Sequence, residues 1–395
     1  MHHIQESFHV DRDGSNLNQP KICLLSASAL TIHFFFKSHI FKLLKIFSVT
    51  LALNPKIDDY LPPLEFPIKT APIAIARKIS PLQDCITIFQ LLNLFRKERF
   101  DLIITVVPKA GLLGMLAGYL CGIPRRLHIF QGEVWASRSG ISRLILKYAD
   151  IVTSRLATNV LAVSDSERLF LIQEKVVSPN KIGVLGSGSI CGVDLKRYPL
   201  RKAGQERLAR IRLGIPEDAI VVIFLARLVT DKGIYDLADA CASLTKSCPN
   251  LWVLLVGPDE QGVLSRVMQH FGEMRSRVKI FGYTSKPEKY LLASSFICLP
   301  SHREGFGLVI IEAAAMGLPA IGSNIYGISD AIVDGKTGII FEKGNILELQ
   351  DAILALYKSE PLRVELGTAA HNFVSEFFDH EVVINRYVKY IRNLF

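Results

Sequence analysis

Cysteine is scarce and unpaired in pattern. The chain has seven, an odd number, and none stands in a C-x-x-C arrangement. Neither a disulfide framework nor a cysteine zinc site is indicated, and a reducing compartment fits. No apolar run reaches the roughly 18 residues that a membrane span requires. The stretch 24–53 is interrupted by Lys37, His39, Lys42 and Lys45, and the run 110–124 is too short. Residues 1–18 are polar and lack the apolar core of a signal peptide, so they read as a loose tail. Aromatics interleaved with basic residues for base stacking are missing, which argues against a nucleic-acid partner.

What remains is a globular composition, 49% hydrophobic and 21% charged over 395 residues, long enough for two domains. The formal charge of +9 is carried by the first half alone. Residues 1–199 hold 24 Lys+Arg against 15 Asp+Glu, and the remainder holds 22 of each. A basic half beside a neutral one points to an anionic surface as partner. Lys42 and Lys45 with Phe41, Leu44 and Phe47 are the first candidates for a membrane contact, with Arg125, Arg126 and Arg143 behind them. The place expected for the protein is therefore the cytoplasm, peripherally associated with the inner face of the cell membrane.

Short β-rich runs alternate with helix-length segments throughout, the pattern of a parallel α/β architecture. Strands are expected over 22–26, 47–53, 101–107, 127–130 and 160–163, then over 219–226, 252–256, 278–281, 296–300 and 320–322. Helices are expected over 81–97, 111–121, 142–156 and 165–173, then over 234–245, 263–274, 286–293, 307–316 and 347–358. The hinge falls in the glycine-bearing segment 181–200. This gives a tail over 1–18, a Rossmann-like domain over 19–195, a second such domain over 196–378, and a C-terminal helix over 379–395 that packs back on the first domain. Ligands should bind at the carboxyl ends of the strands.

The strongest chemical signal is Ser301-His302-Arg303-Glu304-Gly305-Phe306-Gly307-Leu308-Val309-Ile310-Ile311-Glu312, directly after a buried strand and opening a helix. Glycines around Phe306 allow close backbone approach, and the free N–H groups of the helix start suit a phosphate. Glu312 stands about five residues into the helix, roughly 7 to 8 Å further on, the reach from a pyrophosphate to a ribose diol. Glu304 precedes the helix and can turn into the same cleft to hold sugar hydroxyls. At the end of the second domain's first strand, Arg227 and Lys232 can neutralise a diphosphate, one by its fork and one as a point charge. The D-x-D string Asp11-Arg12-Asp13 lies in the tail with no strand before it, so no metal is expected, and no cofactor.

These two strings, in this order and spacing, resemble family 4 retaining glycosyltransferases of the GT-B fold, in which two Rossmann-like domains face each other across a cleft. The resemblance extends to Val107–Gly114, Gln131–Trp135, 186–194 and 327–332. It looks most like bacterial enzymes that extend lipid-linked or surface polysaccharide sugars. It implies a nucleotide sugar, UDP-linked, bound with Glu312 on the ribose, Glu304 on the donor sugar and Arg227 and Lys232 on the pyrophosphate, with Gly305, Phe306, Gly307 and Leu308 completing the donor site. On the acceptor side it implies Gln131, Glu133, Lys109 and Ser28. Gln131 stands where many members carry a His, with His128 three residues earlier, and the loop after the first strand has Ser and Ala in place of glycines. Two other readings compete. One is a nucleotide-sugar epimerase with Glu133 and His128 as its acid/base pair, and the other is a catalytically silent sugar-nucleotide-binding protein. Trp135 is either a stacking platform or a core residue.

Overall fold

A computed structural model of the chain describes residues 19–54, 67–76 and 80–395. Two all-parallel sheets form its framework. The first has seven strands, β1 (Lys21–Ser26), β2 (Ser48–Leu53), β3 (Lys69–Pro72), β4 (Leu102–Val106), β5 (Arg125–Phe130), β6 (Asn159–Ala162) and β7 (Ile182–Val184), in the order β3-β2-β1-β4-β5-β6-β7. The second has six strands, β8 (Ile220–Leu225), β9 (Leu251–Val256), β10 (Val278–Phe281), β11 (Phe296–Leu299), β12 (Ala320–Ser323) and β13 (Gly338–Phe341), in the order β10-β9-β8-β11-β12-β13.

The central strands are buried on both faces, which is why they read as unbroken apolar runs: all five residues of β4 and five of six in β8 are buried. In each sheet the order reverses beside the first strand of the domain, between β1 and β4 and between β8 and β11. A crevice opens at the carboxyl ends of the strands at such switch points. In this molecule the two crevices face one another.

The chain crosses between domains twice. Val193 N–H donates to Phe378 O at 2.8 Å and His380 N–H donates back to Val193 O at 3.1 Å, so the outgoing linker and the returning segment lie side by side. The final helix, His380–Arg392, then packs on the first domain. Lys42 donates to Glu381 and, at 2.8 Å, to Asn385, Arg125 Nε donates to Leu394 O at 2.5 Å, and Phe395 lies 5.1 Å from Phe47 between ring centroids.

These contacts correct the expected membrane segment. Phe47 is buried, Lys42 is ion-paired, Arg125 and Arg126 hold backbone carbonyls, and Arg143 pairs with Glu174, so most of that set is spent inside the molecule. Only Phe41 and Lys45 stand in solvent. Among the described residues no helix is long and apolar enough to cross a membrane.

Candidate active site

Between the two sheet edges lies a cavity of about 440 Å³. Its walls include Gln131, Arg197, Tyr198, Arg227, Lys232, Glu304 and the turn from Gly305 to Leu308, with Glu312 at its inner end. The two motifs that are far apart in sequence are thus brought to one site by the adjacency of β8 and β11.

Lys232 follows β8 in a short helical turn, Thr230–Lys232, and Glu304 follows β11. Their side chains form an ion pair with only about 15% and 14% of each exposed, and the Ser301 hydroxyl donates to the same carboxylate oxygen at 3.2 Å. Arg227 stands at the rim, paired with Glu260 at 2.7 Å, both nearly half exposed. Gly307 adopts φ 57°, a left-handed conformation that glycine accepts without strain, and caps the helix Leu308–Ala315, whose first residues, Leu308 and Val309, line the cavity.

Gly305 explains how closely the domains meet. A Cβ at this position would lie 2.7 Å from the carbonyl carbon of Gln131, and one at Gly132 would lie 2.9 Å from the Gly305 nitrogen. Only two glycines let the loop after β5 rest on the loop after β11. That contact puts Gln131 on the cavity wall, where its Nε2 is buried with no hydrogen-bond partner among the described residues.

Glu312 is fully buried, and burial raises its carboxyl to about 7. The Tyr198 hydroxyl donates to it and the Arg197 charge lies near; both act in the opposite sense without cancelling the effect of burial. Arg197 in turn donates to Ser285 O at 2.6 Å and to Glu288 at 3.2 Å, so the linker roofs the inner end of the cavity.

Three expected acceptor-side residues are not brought to the cavity. Lys109 pairs with Asp84 at 2.6 Å at the start of the helix Pro108–Leu120. Ser28 precedes a helical turn and exchanges hydrogen bonds with the Ser26 hydroxyl. Glu133 is buried beneath the contact between domains: its N–H donates to the Tyr326 hydroxyl at 3.4 Å, and the carboxylate of Glu167 lies beside it. Trp135 is a core residue, donating to Asp150 at 2.7 Å and stacking on Phe170, which stacks on Tyr326 across the domains. His128 is buried and bonded to Thr105 at 2.7 Å, and burial lowers its basicity to about 3. With His128 and Glu133 both walled off, the acid/base pair of the epimerase reading does not face the cavity.

Several cavity-lining positions were not marked by sequence. Phe34 and Phe35 reach the cavity through a π-helical turn, Ile32–Phe36, and Tyr283, Thr284 and Ser285 line it after β10. Asp330 closes the interface opposite, accepting from the N–H groups of Asp165 at 2.9 Å and Ser166 at 3.3 Å and from the Ser166 hydroxyl.

The buried carboxyls at this interface make a testable pair. Burial first, and then a neighbouring carboxylate, raises Glu133 to about 8 from an ordinary 4.5; Glu167 is raised in the same way, with Glu133 as its neighbour. Groups whose folded values are raised contribute stability that is complete below the unfolded value and is lost as pH rises through the folded one. The melting temperature should therefore fall as pH rises from about 4.5 to about 8, and Glu133→Gln, which keeps the shape without the charge, should flatten that fall. An equal loss over this range in wild type and variant would remove this account.

Comparison with known proteins agrees with the geometry. Sucrose-phosphate synthase from Thermosynechococcus elongatus superposes with a TM-score of 0.78 at 20% identity, over 95% of this chain and 99% of that one. HepE of Anabaena, solved in complex with UDP and glucose, gives 0.78 at 20% identity, over 95% and 100%. This is the GT-B fold, two Rossmann-like domains around a cleft. Residues 205–373 match the family model described as glycosyl transferases group 1, and residues 55–188 the one described as glycosyl transferase 4-like domain. Among curated relatives, the capsular polysaccharide biosynthesis glycosyltransferase CapM of Staphylococcus aureus is 28% identical over 79% of this chain and 81% of its own length. The UDP-Gal:alpha-D-GlcNAc-diphosphoundecaprenol alpha-1,3-galactosyltransferase of Escherichia coli is 27% identical over 77% and 78%. The two family models, one on each half of the chain, and these relatives support a family 4 glycosyltransferase of the GT-B fold.

Proposed function

We propose that the protein is a retaining transferase that moves a sugar from a UDP-linked donor to a hydroxyl of a lipid-linked or polysaccharide glycan acceptor at the inner face of the cell membrane. The observation that carries this reading is the convergence, in one interdomain cavity, of the Lys232–Glu304 pair, Arg227, the helix start at Leu308 and the buried Glu312. The activities for which two of these relatives are named support the acceptor class and, for one of them, the donor.

In this mechanism Glu312 accepts the ribose hydroxyls, and the diphosphate lies against the helix start with Lys232 and Arg227 beside it. The bond from the sugar's anomeric carbon to the diphosphate oxygen breaks as the acceptor oxygen approaches from the same face. The acceptor's proton passes to a diphosphate oxygen, so the products are the glycosylated acceptor and UDP. No protein base is required, and the protein contributes positioning and charge stabilisation. Glu304 and the Gln131 amide hold donor-sugar and acceptor hydroxyls, which would satisfy the unpartnered Nε2 of Gln131. Incubation with UDP-sugars and membrane glycolipid, with the anomer of the product read by NMR, tests the reading. An inverted anomer would overturn the retaining assignment, and no transfer from any UDP-sugar would overturn the donor.

The same charges replace a divalent ion, and no cofactor takes part. Activity should survive EDTA unchanged. Complete loss on chelation, restored by magnesium or manganese, would refute metal independence.

A further inference from the structure

We propose that the helices Pro81–Glu98 and Gly140–Leu156 form a docking face for an anionic phospholipid bilayer, with the apolar half of that face at the cleft. The inference rests on the reading of a lipid-held acceptor only in its purpose; its physical basis is independent.

Each of the two helices carries an apolar ridge in solvent. On the first, Leu82, Ile86 and Phe89 are 84%, 52% and 64% exposed, spaced so that they share one side. On the second, Ile141, Leu144, Ile145 and Tyr148 are 75%, 65%, 56% and 63% exposed at positions i, i+3, i+4 and i+7. Scattered single exposures of this size are ordinary, but two aligned ridges are not. The helices flank Pro108–Leu120, which touches both, so all three lie side by side on the same layer.

Topology sets their direction. The first helix joins β3 to β4 and the second joins β5 to β6, in each case running from the carboxyl edge of the sheet back to the amino edge. Their first turns, which hold the apolar residues, therefore lie at the carboxyl edge, where the cavity opens. The exposed Arg96, Lys97 and Arg155 lie at the other ends.

Charge decides the occupant. Of the six Lys and Arg on the three helices, Lys109 is paired with Asp84 and Arg143 and Lys147 with Glu174, while Arg96, Lys97 and Arg155 are exposed; the three carboxylates are all engaged, Asp84 with Lys109, Glu98 with Lys69, and Asp150 buried against Trp135. A surface that combines exposed apolar side chains, basic residues and no free acid suits the headgroup region of an anionic bilayer. A second copy of the same face would bring like charges together. The bilayer so placed would present a lipid-linked glycan at the mouth of the cleft.

The test is flotation of the full chain with vesicles of phosphatidylglycerol and phosphatidylcholine in equal parts, against phosphatidylcholine alone, without donor or acceptor. Wild type should float with the anionic vesicles at low salt and partition less at about 0.5 M salt. The double variant Phe89→Ser with Leu144→Ser should lose about tenfold of that partition, with native circular dichroism and unchanged turnover on a water-soluble acceptor. Phe41→Ser, on the other apolar segment, should float as wild type does. Absence of flotation by the wild type, or a double variant that floats equally well, overturns the proposal. So does a double variant that dissociates a dimer in sedimentation without altering vesicle binding. If flotation behaves as expected while no lipid-linked acceptor is glycosylated, the docking face stands and the acceptor reading falls.

Discussion

Lys232→Ala is expected to lower turnover by about two to three orders of magnitude, the scale seen when one preorganised donor to a developing negative charge is removed. Lys232 is largely shielded from water and is held in place by Glu304, itself fixed by the Ser301 hydroxyl. A charge so placed acts in a low-dielectric pocket and needs no reorganisation when the diphosphate takes up the electrons of the breaking bond. The loss should appear mainly in kcat, because the charge on the leaving group grows only as that bond breaks. Lys232→Arg should recover part of it. Arg227→Ala should cost less, about tenfold, since Arg227 is nearly half exposed and its field is screened by solvent. Steady-state kinetics with circular dichroism of each variant decides the matter. Near-wild-type kcat in Lys232→Ala would remove it from the diphosphate, and an Arg227 effect larger than the Lys232 effect would reverse the order of importance drawn from burial.

The same contrast shows what could be read from sequence. The strings around Lys232 and from Ser301 to Glu312 follow strands that are buried on both faces, so their apolar runs end abruptly at polar and glycine residues and mark the carboxyl edge of the sheet. The short strands β3, β7 and β13 lack that signature. Each has four residues or fewer, and they lie at or near sheet edges, with Lys, Pro or Gly among them. The expected helix over 263–274 ends early, at His270, because Gly272 turns left-handed and the chain continues as a 3-10 segment, Gly272–Arg277. Phe34 and Phe35 were hidden in an apolar stretch without clear period, and their approach to the cavity depends on an extra residue in one helical turn. Glu133 illustrates the opposite error. The resemblance implied an acceptor-side role for it, but Tyr326, far along the chain, covers it. Arg197 and Tyr198 fall within 181–200, the segment the sequence marked only as the hinge, and their place at the cavity became intelligible once Glu312 was seen beneath them.

Donor binding is expected to strengthen as pH rises through about 7, and Glu312 should be the cause. Burial holds the empty site's Glu312 carboxyl at about 7, so near neutrality much of it is protonated. A ribose diol donates two hydrogen bonds, which only the ionised carboxylate accepts fully. Below pH 7 the group must therefore lose a proton on binding UDP, and affinity should fall by up to about tenfold per pH unit; above about pH 8 it should level off. Stability of the empty protein runs the other way. A folded value raised from 4.5 contributes stability that is complete at acid pH and disappears as pH rises through 7, on the order of 3 kcal/mol for a shift of this size. The melting temperature without ligand should thus decline across the interval in which the increment given by UDP grows. Glu312→Gln should abolish both trends from this group and, at about pH 8, weaken UDP binding by about 1.5 to 3 kcal/mol, the scale of hydrogen bonds to a charged group. Calorimetric titration of UDP across this pH range, in wild type and in the variant, supplies the measurement. A dissociation constant that is flat with pH in the wild type, or the same in both proteins, would place the ribose elsewhere in the cleft.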